Sequence, residues 1–185
     1  LCTASPAGDT IPGLVVHDAK IEIASSPGER REVDIANFIL GPGKTILKSD
    51  ELVTSVILSP LAEGEASVFQ RFTQREALDL AFASVAARVV LESDGHTIHE
   101  ARLALGAVDV TIVDASDAAV TLTGRSLNDA VLRECAETAA ETCSPISDHR
   151  ATADYRRQLI KALVIDVITE AVRRAECYCR NPSVS

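Results

Sequence analysis

SVFQRFTQREALDLAFASVAARVVLESDGHTIHEARLAL, residues 67–105, decides the fold class of this chain. Residues 67–73 read as a strand and 78–92 as mostly strand. SDGH at 93–96 predicts a tight hairpin turn, because Gly95 tolerates positive φ. TIHEARLAL then alternates, with Ala101, Leu103 and Leu105 on one face and Glu100 and Arg102 on the other. The prediction is a three-stranded antiparallel sheet with one clearly apolar face.

Helices follow it. Ser126 with Asp129 approximates a capping box and opens a helix running to about Thr142. Leu127, Val131, Cys135 and Ala139 recur on one side of it. A second helix over residues 152–175 carries a stripe of Ile160, Leu163, Val164, Val167, Ile168 and Ala171. Helices with single apolar stripes need a surface to cover, and the sheet provides one, so the class is α+β.

Upstream the elements are shorter. Asp9 is placed to cap a helix at Thr10. KIEIA (20–24), the turn SSPGE (25–29) and RREVD (30–34) predict a hairpin. Residues 34–40 predict a short helix ended by Gly41-Pro42-Gly43. ELVTSVIL (51–58) predicts a buried strand closed by Ser59-Pro60. LAEGEA (61–66) is the predicted linker. The expected division is 1–60, linker 61–66, a second domain over 67–180 and a tail at 181–185.

Composition narrows the chemistry. Of 185 residues, 46% are hydrophobic but only 3% aromatic, so the core must be built of Ala, Val, Leu and Ile. A formal charge of −9 without a basic stripe argues against nucleic acid. No window approaches the roughly 20 apolar residues of a spanning helix, and no signal peptide opens the chain, so a cytoplasmic setting is expected. The five cysteines form no CxxC pair, which argues against a zinc site or disulfide framework. The CYC at Cys177 and Cys179 keeps a thiol or metal protein as a weaker alternative. Neither a P-loop nor a dinucleotide GxGxxG is present, and no catalytic residue is predicted. The start, LCTASPAGDT, packs small residues into a turn, which lets backbone amides approach a ligand.

LCTASPAGDTIPGLVVHDAKIEI resembles the stretch after the Gly-Asn pair in the flavin-binding subunits of the xanthine dehydrogenase and carbon monoxide dehydrogenase family. RREVDIANFILGPGKTILKSDELVTSVILSP continues the likeness. Arg75 to Ala81 resembles that family's Arg-x-Ala-x-Asp-x-Ala signature. Pro145, Ser147, Asp148, Arg150, Tyr155 and Arg156 resemble its C-terminal one. The resemblance implies the second half of a PCMH-type FAD-binding domain, followed by a CO dehydrogenase flavoprotein C-terminal domain. It implies FAD as cofactor, approached by Thr3 and Asp9, by the backbone of Cys2 and Gly8, by Leu52 and Val53, and by Arg71, where relatives often have Lys. Val108 to Ile112 departs from the family's Pro-containing turn. The implied function is electron transfer in a molybdenum hydroxylase, an oxidoreductase. Molybdopterin lies in a large subunit and 2Fe-2S clusters in a small one, with NAD, oxygen or another acceptor taking electrons from FAD. The N-terminal half of the same subunit, with its pyrophosphate loop, is a further expected partner, and this portion alone is expected to be inactive. A non-catalytic assembly module of the same complex is the rival reading. The final signature is expected to tie a loop to the last helix.

Overall fold

A computed structural model describes residues 3–26, 28–75, 77 and 79–180; Cys2 and the tail predicted at 181–185 lie outside the described residues. In chain order the elements are α1 (Thr10–Val16), β1 (Lys20–Ser25), β2 (Arg30–Asp34), α2 (Ile35–Phe38), β3 (Ile39–Gly41), β4 (Lys44–Thr45), β5 (Glu51–Ile57), β6 (Glu65–Phe72), β7 (Ala83–Leu91), β8 (Ile98–Gly106), β9 (Val113–Asp114), α3 (Ser116–Val120), α4 (Asp129–Thr142) and α5 (Ala153–Arg180). Among the described residues no helix is long and apolar enough to cross a membrane.

The predicted three strands form an antiparallel sheet, extended at its edge by the two-residue β9, in the order β6-β7-β8-β9. Gly95, at φ +73, makes the β7–β8 turn. Every residue of β7 except Arg88 is buried. The sheet is covered on both sides, which is why ASVAARVVL reads as an almost unbroken apolar run rather than an alternation. On one side Val85, Val89, Leu103 and Leu105 pack under α4 and α5. On the other, Ala86 and Ala104 meet Val16 of α1. Large side chains face the long helices, and small ones leave room for the short helix to lie close. The α5 stripe predicted from Ile160 to Ala171 is buried throughout. Fully burying one such aliphatic side chain contributes about 1.5–3 kcal/mol.

Residues 3–61 add a smaller layer. β1 is central in a sheet of order β2-β1-β5, both pairings antiparallel. Ile21 and Ile23 pack with Ile11, Ile35 and Phe38 in a separate core. The turn at Pro42-Gly43 joins β3 to β4, so the predicted helix at 34–40 shortens to α2 and is followed by a strand.

Three further expectations change. ELVTSVIL is a strand but not a buried one: Leu52 is 60% and Leu58 52% exposed. β5 lies at a sheet edge, and only the face bearing Val53 meets the core. Asp9 makes no capping hydrogen bond, because its backbone is already helical (φ −62°, ψ −31°) and its carboxylate turns to Arg71. Ser126 does not cap α4: its backbone bridges to Thr97, and extended Asn128 instead accepts from the amides of Ala130 and Val131.

Candidate functional site

Residues 3–9, TASPAGD, form a bend held by its own backbone and by two distant segments. Ala4 is buried with φ +41°, a left-handed conformation unusual for a residue with a side chain. Its carbonyl accepts from the Gly43 amide at 3.2 Å. Gly8 donates to the Ser5 carbonyl at 3.0 Å, and a Cβ at Gly8 would lie 3.1 Å from Ile11 Cδ1 and 3.2 Å from that same carbonyl oxygen. The Pro6 carbonyl accepts from the Ala107 amide at 2.8 Å, just beyond β8.

The register of the larger sheet explains what the bend meets. Arg71, Ser84 and Gly106 form one row across β6, β7 and β8, and Ser67, Arg88 and Arg102 form another four residues along. Helix α1 packs across this face. At its start the Asp9 carboxylate forms an ion pair with the Arg71 guanidinium, the two side chains being 44% and 32% exposed. At its end His17 Nε2 lies 3.0 Å from Ser67 Oγ, and Asp18 accepts from Arg102 at 2.7 Å. Glu65, buried, accepts from Arg88 Nε at 2.6 Å and from the Ala62 amide at 2.8 Å, and lies 3.5 Å from His17 Nδ1. Burial pushes the His17 imidazole below its ordinary value against the opposing pull of Glu65. For Glu65 burial works upward, but the hydrogen bonds from Arg88 and Ala62 outweigh it and its carboxyl ends below the usual value.

Of the residues predicted to approach a flavin, the fold thus brings Asp9 and Arg71 into contact from 62 positions apart in sequence. Thr3 is exposed at the start of the bend, and Gly8 is within it. Val53 packs into the smaller core, whereas Leu52 points to the outer face of β5. Neighbouring residues of a strand face opposite ways, so these two side chains do not share one surface.

A cavity of about 260 Å³ lies beside the bend, its walls including Pro6, Ala7, Pro42, Leu80, Val110 and Ile146. None of the described residues predicted to contact flavin lines it. Its wall also includes Asp148 and Arg156. Arg156, 3% exposed, donates through Nη2 to both carboxylate oxygens of Asp148 at 3.0 Å, and through Nη1 to the carbonyls of Phe82 at 2.6 Å and Ala107 at 3.2 Å. The amide of Ala151, followed by further donors including Arg156, holds the Asp148 carboxyl far below the usual range. The expected tie between the last signature and α5 is present, and it extends to the ends of β7 and β8. That extension had no local signal, since backbone carbonyls leave no mark in a sequence.

The donor set suits the hydroxyl-bearing and ring portions of a flavin dinucleotide. A carboxylate accepts hydrogen bonds from hydroxyls and ring N–H groups, and small residues let main chain come near. A single Arg paired to a carboxylate is a poor match for a pyrophosphate. Among the described residues no group of three or more His, Cys, Asp or Glu could hold a metal ion, and Cys135, Cys143, Cys177 and Cys179 are free.

The two layers and the bend between them define an α+β module, and comparison with known proteins makes its class specific. Residues 68–171 match the family described as CO dehydrogenase flavoprotein C-terminal domain, and residues 1–61 match the FAD binding domain in molybdopterin dehydrogenase. The glyceraldehyde dehydrogenase medium chain of Sulfolobus acidocaldarius is 32% identical over 170 residues, 92% of this chain and 59% of that one. The xanthine dehydrogenase FAD-binding subunit of Escherichia coli O157:H7 is 31% identical over 176 residues, 95% of this chain and 59% of its own. Among solved structures, quinoline 2-oxidoreductase from Pseudomonas putida 86 superposes with a TM-score of 0.85 at 29% identity, covering 95% of this chain and 59% of that chain. The chain belongs to the CO dehydrogenase flavoprotein C-terminal domain family, here joined to a FAD-binding segment. It spans about three-fifths of the length of these relatives.

Proposed function

We propose that this chain is the C-terminal portion of the flavoprotein subunit of a molybdenum hydroxylase, where it helps to hold FAD near the iron-sulfur clusters of a partner subunit. The observation that carries the reading is the Asp9–Arg71 contact, which joins the FAD-binding segment to the C-terminal domain at one place. When bound, FAD supplies the redox chemistry, accepting electrons that come from iron-sulfur clusters and passing them to NAD, oxygen or another acceptor. The chain's own residues bind and orient. Asp9 accepts from cofactor hydroxyls while Arg71 holds that carboxylate in place and offsets its charge. Thr3 and the Gly8 backbone line the approach, and Leu52 and Val53 contribute the β5 strand. The partners are a molybdopterin-binding large subunit, an iron-sulfur small subunit and the remaining half of this subunit, in a cytoplasmic complex. The working division is a FAD-binding portion over 1–60, a linker at 61–66 whose last two residues already open β6, and a C-terminal domain over 67–180.

The rival, a docking module without a cofactor role, draws support from the exposed apolar side chains of Leu52, Leu58 and Leu61. A flavin titration separates the two. Residues 1–185 are expected to quench FAD fluorescence weakly and saturably, and Asp9→Ala to abolish the effect. Absence of any saturable quenching would favour the docking module, and tight stoichiometric retention would contradict the need for a pyrophosphate loop elsewhere.

A further inference from the structure

We infer that Arg156, on the first turn of α5, is a positioning residue for the flavin-facing bend and acts on it through Ala107; the flavin half of this inference rests on the function proposed above. Three observations carry it. Arg156 is buried yet charged, and its Nη groups are divided between the Asp148 carboxylate and the carbonyls of Phe82 and Ala107. Ala107 holds φ +63°, a conformation that a residue with a side chain adopts only when its surroundings impose it. The amide of that same residue donates to Pro6 at 2.8 Å, in the middle of the bend.

These contacts form one path. The guanidinium draws the Ala107 carbonyl inward, which fixes the peptide plane on one side of the residue. The left-handed turn then aims its amide outward at Pro6. The preceding position is closely packed: a Cβ at Gly106 would collide with Ser84 Oγ and lie 3.3 Å from both Ile112 and Pro12. Arg156 Nε has no acceptor among the described residues, so the hold depends on the Nη groups. Lysine, a point cation with no planar fork, cannot serve Asp148 and two carbonyls in this geometry.

The test uses residues 1–185 and compares Arg156→Lys with Val164→Ala, a substitution in the α5 core that touches none of these groups. Amide hydrogen exchange is followed at Ala107, Ala7, Gly8 and Asp9, with urea midpoints recorded to match the overall loss of stability. Arg156→Lys is expected to speed exchange at Ala107 and in the bend about tenfold or more beyond the control, as loss of hydrogen bonds to a buried charged group implies. Asp148→Asn keeps the acceptor oxygen but loses the charge, and should give a smaller change of the same kind; it serves if Arg156→Lys does not fold. Equal exchange in the control, or no change at the bend in either variant, would overturn the inference. FAD titration of the same variants separates the two levels. A loosened bend with weaker flavin quenching supports both, whereas a loosened bend with unchanged quenching leaves the clamp standing and removes the flavin reading.

Discussion

Gly106 shows how one missing side chain positions the site. It ends β8 in the row that holds Arg71 and Ser84, and α1 crosses above it with Pro12 against it. Its φ is not left-handed, so space rather than backbone freedom selects glycine there. Gly106→Ala is expected to destabilise the chain by about 1–3 kcal/mol through overpacking, read from the urea midpoint. Ser84→Gly in the same background should recover part of that loss, and no recovery would count against the contact with Ser84. Asp9 and Asn128 make a related point. Both precede a helix and both can cap, but only Asn128 has the extended backbone that points its side chain back at the helix amides.

Among the elements, α1 carries the most consequence for its length. Its seven residues link the two layers, resting by Val16 on Ala86 and Ala104 and tied at the far end by His17 and Asp18. His17 sits among Glu65, Arg88 and Asp18, and its folded pKa lies below 6.5 because burial disfavours the charged ring. The unfolded chain therefore binds the proton more readily. The stability this site contributes is present above about pH 6.5 and is lost as pH falls from there through the folded pKa. The urea midpoint of the native chain should drop over that interval more than that of His17→Gln, which keeps a hydrogen-bonding side chain but does not titrate. Parallel pH profiles would sink this assignment.

Across the whole molecule the two layers differ in how completely they are covered. The β6–β9 sheet is enclosed on both faces, while β5 leaves Leu52, Val56, Ile57 and Leu58 exposed. An apolar, unpaired edge of this kind invites association. Val56→Lys is expected to leave stability within about 0.5 kcal/mol, as for a surface substitution, and to lower concentration-dependent light scattering. Unchanged scattering, or a large fall in stability, would show that this side chain is covered in solution.

Local chemistry was enough for much of this protein. Strand and helix identities, the Gly95 turn and the buried α5 stripe follow from periodicity and backbone preference, which act between residues close in sequence. The motifs at Thr3–Asp9 and Arg75–Ala81 were likewise legible and pointed to the family that the comparisons bear out. Burial of β5 was not legible, because an apolar strand reads alike at a covered centre and at an open edge. Nor were the pairing of Asp9 with Arg71, the His17 cluster, or the reach of Arg156 to Ala107. Each depends on register between strands and on where a helix crosses a sheet, and those are settled only when distant segments compete for the same surface.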